Sequence, residues 1–246
     1  MADDYILKVE DLWAGYEEDI AVVKKITMVL QKGLLTAVVG ANGAGKSTLL
    51  KTIYGFLKPF SGKILYNGAE VTGWSSYEAK KAGVAYIPQD LSHFPDMTVE
   101  ENLRLGWWIW RGKRGLYEQL EWVYELFPNL LKKRNMKASF LSGGEVKMLD
   151  IARGILVKPQ LLLVDEPSVG LSPKLAEEVY RVLQRLRGEG ITVLLVDQNV
   201  KRAIEICDYA YVMDTGEIIS HGSSDVIRHQ IEQIIEASLM GDLIKF

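Results

Sequence analysis

Residues 40–48 read Gly-Ala-Asn-Gly-Ala-Gly-Lys-Ser-Thr, the spacing of a phosphate cradle. Each residue type there has a chemical task. Gly40, Gly43 and Gly45 let backbone N–H groups turn inward without a Cβ in the way, and Asn42 and Ala44 fill the loop between them. A helix starting after Gly45 adds unpaired N–H groups and the positive end of its dipole. Lys46 can reach β- and γ-phosphates, and the hydroxyl of Ser47, beside Thr48, suits a Mg²⁺ ligand. Two acids, Asp165 and Glu166, follow the apolar run 161–164. An acid at the carboxyl end of a buried strand reaches the crevice where open α/β sheets bind ligands. Asp165 fits a direct or indirect hold on Mg²⁺, and Glu166 is placed to polarise an attacking water. A second anion-binding helix start is written at 141–145, Leu-Ser-Gly-Gly-Glu, ahead of a helical pattern carrying Val146, Leu149, Ile151, Ile155 and Leu156.

These groups need a frame to hold them. Short apolar runs at 36–39, 84–87, 161–164 and 191–196 suit strands buried on both faces. Helical stretches between them imply a mostly parallel α/β sheet. The run 5–12 alternates, and 209–220 reads as a hairpin turning at Thr215-Gly216, so antiparallel additions are expected. Residues 92–158 differ, with few β-branched runs and many helix formers. One helix starts at Thr98, with Glu101 completing its cap. A second spans 116–127 and stops before Pro128, and a third follows Ser142 and ends before Pro159. This middle stretch reads as a helical subdomain inserted in an α/β core, with an exposed basic turn at 112–115.

Bulk properties remove several alternatives. The chain has 246 residues, 48% of them hydrophobic and 25% charged, so disorder is not expected. The net charge of −3 argues against a nucleic-acid partner. A single cysteine, Cys207, allows no internal disulfide and fits a reducing compartment. No apolar run approaches the ~20 residues of a spanning helix, and the acidic start Met1-Ala2-Asp3-Asp4 is unlike a signal peptide. A cytoplasmic protein is therefore expected.

With the three motifs in this order, the chain resembles the ATP-binding-cassette (ABC) ATPases over nearly its whole length. The resemblance implies a P-loop NTPase parallel-sheet core with an antiparallel β subdomain, formed by residues 1–89 and 160–246. It implies a helical signature subdomain at 90–159. It further implies a head-to-tail dimer that sandwiches two ATP molecules, each held by one subunit's cradle and by Ser142, Gly143, Gly144 and Glu145 of the other. Tyr16 stands where the family stacks adenine. Gln89 matches the loop glutamine that contacts Mg²⁺ and water and transmits to a membrane subunit, and 168–172 matches the loop that crosses the dimer. Most members carry a histidine at the place of Gln198. Glutamine can still donate an N–H to the γ-phosphate but cannot titrate near neutrality.

The Asp197-Gln198-Asn199 switch, the Ser-Gly-Gly-Glu signature, Asp165-Glu166-Pro167-Ser168 and the ending at 237–241 resemble one subgroup, the second ATPase of branched-chain (hydrophobic) amino-acid importers. That likeness implies transmembrane permease subunits, a second ATPase subunit in a hetero- or homodimer, and, indirectly, an extracytoplasmic solute-binding protein. It places the chain peripherally on the inner face of the membrane. The competing likenesses are to lipid- or lipopolysaccharide-export ATPases, which normally keep the histidine, and to a non-transport ABC ATPase. Lys147 stands where the subgroup often has glutamine. Trp107, Trp108 and Trp110 crowd four positions, and adjacent helical residues point about 100° apart. At least one of these rings is expected to be exposed beside the Gln89 loop, as a docking surface.

Overall fold

A computed structural model describes residues 5–17, 20–90, 92–108 and 115–230. A six-stranded sheet carries the frame. Its strands are β3 (Leu35–Val39), β6 (Val84–Ile87), β7 (Leu161–Asp165), β8 (Thr192–Asp197), β9 (Tyr209–Asp214) and β10 (Glu217–Ser223), in the spatial order β10-β9-β3-β8-β7-β6. The ladder from β9 to β6 is parallel, and β10 joins β9 antiparallel. The β9–β10 turn falls at Thr215 and Gly216, whose φ values of 46° and 91° are those of a tight hairpin. Beside this sheet lies an antiparallel one of order β2-β1-β4-β5, built from β1 (Tyr5–Ala14), β2 (Val23–Gln31), β4 (Ser61–Tyr66) and β5 (Ala69–Glu70).

The apolar runs are continuous because both faces of the central strands are covered. Leu162 and Val164 of β7 and Val193 and Leu195 of β8 pack with helices into one core. The alternate residues Leu161, Leu163, Leu194 and Val196 pack into another, under the antiparallel sheet and helix α1 (Lys46–Tyr54). Helix α2 (Ser76–Lys81) leads into β6. Between β6 and β7 the described residues hold α3 (Val99–Gly106), α4 (Leu116–Leu126), α5 (Pro128–Lys132), a 3-10 turn at Ala138–Phe140 and α6 (Gly143–Ile155). Helices α7 (Pro173–Gly188) and α8 (Val200–Ile206) flank β8.

Thr98 caps α3 reciprocally with Glu101, as its spacing implies, and α4 stops one residue short of Phe127. Helix α5 is unanticipated. Pro128, read as a stop, sits in its first turn, where the missing N–H costs nothing. Ser75 and Glu78 form a capping box on α2. Among the described residues no helix is long and apolar enough to cross a membrane. Trp110, the 112–115 turn as far as Arg114, and the ending at 237–241 lie outside the described residues.

Candidate functional site

The loop from β3 to α1 is the site's floor. Gly43 and Gly45 take left-handed φ values of 83° and 99°, and a Cβ on Gly40 would sit 2.0 Å from the Met213 carbonyl oxygen. Helix α1 begins without a side-chain cap, so no side chain of its own occupies its first N–H groups. Lys46, only 3% exposed, donates to the carbonyls of Gly40 (3.0 Å) and Ala41 (2.9 Å) and lies 3.4 Å from Glu166 Oε1. The ammonium therefore holds the loop in shape from inside it. Ala44 and Thr48 are buried beneath, and Asn42 is exposed at the rim.

The strand ends supply the acids. Asp165, 2% exposed, accepts from the Ser47 hydroxyl at 2.8 Å and from the Tyr86 hydroxyl at 2.9 Å, one on each carboxylate oxygen. Tyr86 projects from β6, and nothing in its sequence setting marks it as a partner of the acid. Burial, reinforced by the Asp165 charge, pushes the Tyr86 hydroxyl well above the ordinary tyrosine range, so it stays a donor. Glu166 carries a left-handed φ of 41°, and its N–H bonds the Val196 carbonyl at 2.9 Å. A non-glycine residue held there stores strain of order 1–3 kcal/mol, a feature that gathers at functional sites. The next strand end, Asp197, is fully buried. It accepts from the Tyr180 hydroxyl and the Asn199 N–H, both at 2.9 Å. Its burial outweighs those hydrogen bonds and raises its carboxyl above the usual range.

One cavity of about 360 Å³ collects the predicted groups. Asn42, Gly43, Gly45, Lys46, Ser47, Thr48, Gln89, Glu166 and Gln198 all line it, with Val22 and Val169. Phosphates fit this lining, which pairs a glycine loop with uncapped helix N–H groups and a lysine. One hydroxyl beside one carboxylate, Ser47 and Asp165, is also the sparse donor set Mg²⁺ uses when substrate phosphates and water complete its shell. Tyr16 stands apart from the lining. It is 59% exposed, its hydroxyl accepts from Lys51 Nζ at 3.2 Å, and that cation also lies over its ring at 5.6 Å.

The second glycine motif lies elsewhere. Ser142 caps α6, accepting from the Glu145 N–H, while the Glu145 carboxylate returns to the Ser142 N–H (3.0 Å) and hydroxyl (3.1 Å). Glu145 Oε1 pairs with Lys133 at 2.5 Å. Burial works against the Glu145 charge, but Lys133 and the cap outweigh it, and the carboxyl sits below its ordinary range. Gly143 is exposed, and a Cβ on Gly144 would meet Leu175 at 2.4 Å. Ser142, Gly144 and Glu145 line a separate cleft of about 400 Å³ with Leu175 and Arg181, not the cavity of Lys46. Ser168, in the loop after β7, sits 2.9 Å from the Tyr180 hydroxyl.

A third groove, about 600 Å³, runs past the Gln89 loop and is lined by Tyr86, Pro88, Phe94, Trp108 and Arg153 among others. Trp108 is 59% exposed there, whereas Trp107 is half-buried against the core.

Comparison with known proteins shows the family. Residues 23–169 match the family model described as ABC transporter. A high-affinity branched-chain amino acid transport ATP-binding protein of Pseudomonas aeruginosa is 40% identical, over 86% of this chain and 90% of its own length. A probable branched-chain amino acid transport ATP-binding protein of Archaeoglobus fulgidus is 38% identical, over 92% and 95%. The solved ADP conformation of an ATP-binding cassette of an ABC transporter superposes with a TM-score of 0.81 at 28% identity, covering 96% of this chain and 98% of the other. The chain belongs to the ABC transporter family, as its ATP-binding and ATP-hydrolysing subunit.

Proposed function

We propose that this subunit energises uptake of branched-chain or other hydrophobic amino acids through partner permease subunits, from the cytoplasmic face of the membrane. The observation that carries the catalytic part is the gathering of Lys46, Ser47, Gln89, Glu166 and Gln198 on one cavity while Ser142 lies on another cleft. A nucleotide in the first cavity cannot be reached by the Ser142 motif of the same chain. Two copies, or this chain and a second ATPase, arranged head to tail would complete each site. Residues 90–159 then form the helical signature subdomain on the core of 1–89 and 160–246.

In this reading Lys46 and the N–H groups of the loop hold the β- and γ-phosphates, and Tyr16 stacks the base. Ser47, Gln89 and the Asp165 region would hold Mg²⁺, which when bound neutralises charge developing on the phosphates. Tyr86 holds Asp165 in place for that contact. Glu166, beside Lys46, accepts a proton from the attacking water as it bonds to the γ-phosphorus, the bond to the β–γ bridging oxygen breaks and ADP leaves, and Gln198 donates an N–H to the γ-phosphoryl oxygens. Closure of the dimer on ATP and reopening after hydrolysis would move the permease through the groove at Pro88, Phe94 and Trp108.

The amino-acid substrate rests on the relatives from Pseudomonas aeruginosa and Archaeoglobus fulgidus and on the glutamine at 198, which differs from the histidine of export-type members. Glu166→Gln tests both levels. We expect ATP-bound dimers that turn over about 10²- to 10⁴-fold more slowly, the usual worth of a positioned base. Cells with this variant should lose uptake of labelled leucine, isoleucine and valine. Normal turnover would assign the base elsewhere, and lost turnover with normal uptake would assign another solute.

A further inference from the structure

Helix α6, which starts at the Ser142 cap, runs beside the segment that follows β6. One of its faces grips that segment with three polar side chains spaced three residues apart, a spacing that keeps neighbours on one side of a helix. Lys147, 2% exposed, donates from Nζ to the carbonyls of Pro88 (2.7 Å) and Gln89 (2.9 Å). Asp150, also 2% exposed, accepts from the Ser92 N–H (3.0 Å) and hydroxyl (3.1 Å). Arg153 donates to the Ser92 carbonyl at 2.9 Å and pairs with Asp150 at 3.0 Å. Gly154 completes the contact, since a Cβ there would lie 2.3 Å from Ile87 Cδ1.

The two carbonyls held by Lys147 need a donor. The β6–β7 ladder ends at Ile87 opposite Val164, so Pro88 and Gln89 lie beyond the last strand pairing. Pro88 is half-buried and Gln89 exposed, but both carbonyls turn inward to the buried Lys147 amine, and a carbonyl turned from water without a donor is costly. A lysine is an expensive way to meet them. Its neighbours Val146, Met148 and Leu149 are buried apolar residues, and burial draws the Lys147 amine below its ordinary range against the opposing pull of Asp150, Asp165 and Asp90. What the lysine achieves is specific to Gln89. Asp150 and Arg153 hold Ser92, three residues further on, whereas Lys147 fixes the carbonyl of the residue whose side chain lines the nucleotide cavity.

We propose that Lys147 is a positioning residue for ATP hydrolysis, tying the backbone of Gln89 to the helix that begins at Ser142. It rests on the reading of Gln89 as part of the nucleotide site. The tie gives the two glycine motifs a mechanical link within one chain. Seating of α6 by a nucleotide in the partner's cradle fixes where Gln89 stands in this chain's own cavity, and loss of the tie leaves Gln89 present but unaimed. ATP affinity, set by the cradle, does not depend on it.

The test is steady-state and single-turnover ATPase of the intact subunit, with equilibrium ATP binding and Tm measured alongside. Lys147→Met should fall at least about tenfold in kcat with KM and ATP affinity within about twofold, the split expected when aim rather than binding is lost. Lys147→Gln keeps two N–H donors on a shorter stem and should fall between, about two- to fivefold below the parent, again in kcat. It decides the matter alone if the Met variant does not fold. Adding Lys147→Met to Gln89→Ala should cost no more than about twofold beyond Gln89→Ala, because both act through one side chain. Parental kcat in Lys147→Gln, a folded Lys147→Met with parental kcat, or losses that multiply in the double variant would each overturn the proposal. Parental kcat in Gln89→Ala would overturn the placing of Gln89 in the site, and is told apart because it involves no change at Lys147.

Discussion

Helices α1 and α6 both begin on glycines and both face anions in the proposed mechanism, yet they start differently. Helix α1 has no side-chain cap and no acid in its first turn, and a buried lysine stands at its first position. Helix α6 is closed on itself, because Ser142 and Glu145 satisfy one another and Glu145 neutralises Lys133. The first start leaves its N–H groups open to a ligand within one chain. The second has its serine hydroxyl already engaged by its own carboxylate, which a phosphate from another subunit must displace or join. In the proposed mechanism, a cradle that binds alone and a clasp that acts only in the dimer would keep ATP capture separate from ATP consumption.

The contrast can be broken most directly at Lys46. Lys46→Met removes a charged donor from the cradle, and such hydrogen bonds are worth about 1.5–3 kcal/mol, so ATP affinity of the isolated subunit should fall roughly 10- to 150-fold by equilibrium titration. Ser142→Ala is expected to leave that affinity unchanged. It should lower Tm by about 2–4 °C, for a lost N-cap of about 1 kcal/mol, and slow turnover only where dimers form. Equal losses of affinity in the two variants would show that the starts are not distinct in kind.

The smallest effect is in acid. The Glu145 carboxyl lies below its ordinary value of 4.5 in the folded chain. Its stabilisation is therefore complete above about pH 4.5 and fades as pH falls through the folded value. Helix α1 has no such group, so between pH 5 and pH 3 protection from amide exchange, taken relative to the intrinsic rate at each pH, should fall at 143–146 before it falls at 46–49. Simultaneous loosening would assign the acid sensitivity to the whole fold.

Much of this was legible from residue types. A cradle needs glycines and a lysine at fixed spacing, and strands covered on both faces must be continuously apolar, so 40–48 and the runs at 161–164 and 191–196 declare themselves. Thr98 and Ser142 are readable because a reciprocal cap has its own spacing. The same signal stands at Ser75 and Glu78, but α2 is too short to show a period that would mark it. Other features have no local signature. Tyr86 looks like any strand aromatic until β6 pairs with β7 and brings its hydroxyl to Asp165. The strained φ of Glu166 accompanies a bond from its N–H to Val196, a partner thirty residues away in the chain. Lys147 could be noticed as an odd residue in an apolar helix, but its carbonyl partners come from a segment that only the tertiary fold brings near.

The burial of β7 and β8 on both faces has a consequence for alignment. In a sheet with one wet face, a slip of one residue is forbidden because it turns apolar side chains toward water. Here a slip of β7 would merely exchange Leu162 and Val164 for Leu161 and Leu163, one apolar set for another. What cannot slip is the polar end. Asp165 would lose Ser47 and Tyr86, leaving a buried carboxylate without partners, and a slip of β8 would part Asp197 from the Tyr180 hydroxyl, leaving it only the local Asn199 N–H. The buried acids at the strand ends are thus also the pins that hold the strands in rank, an alignment the hydrophobic pattern alone leaves undetermined.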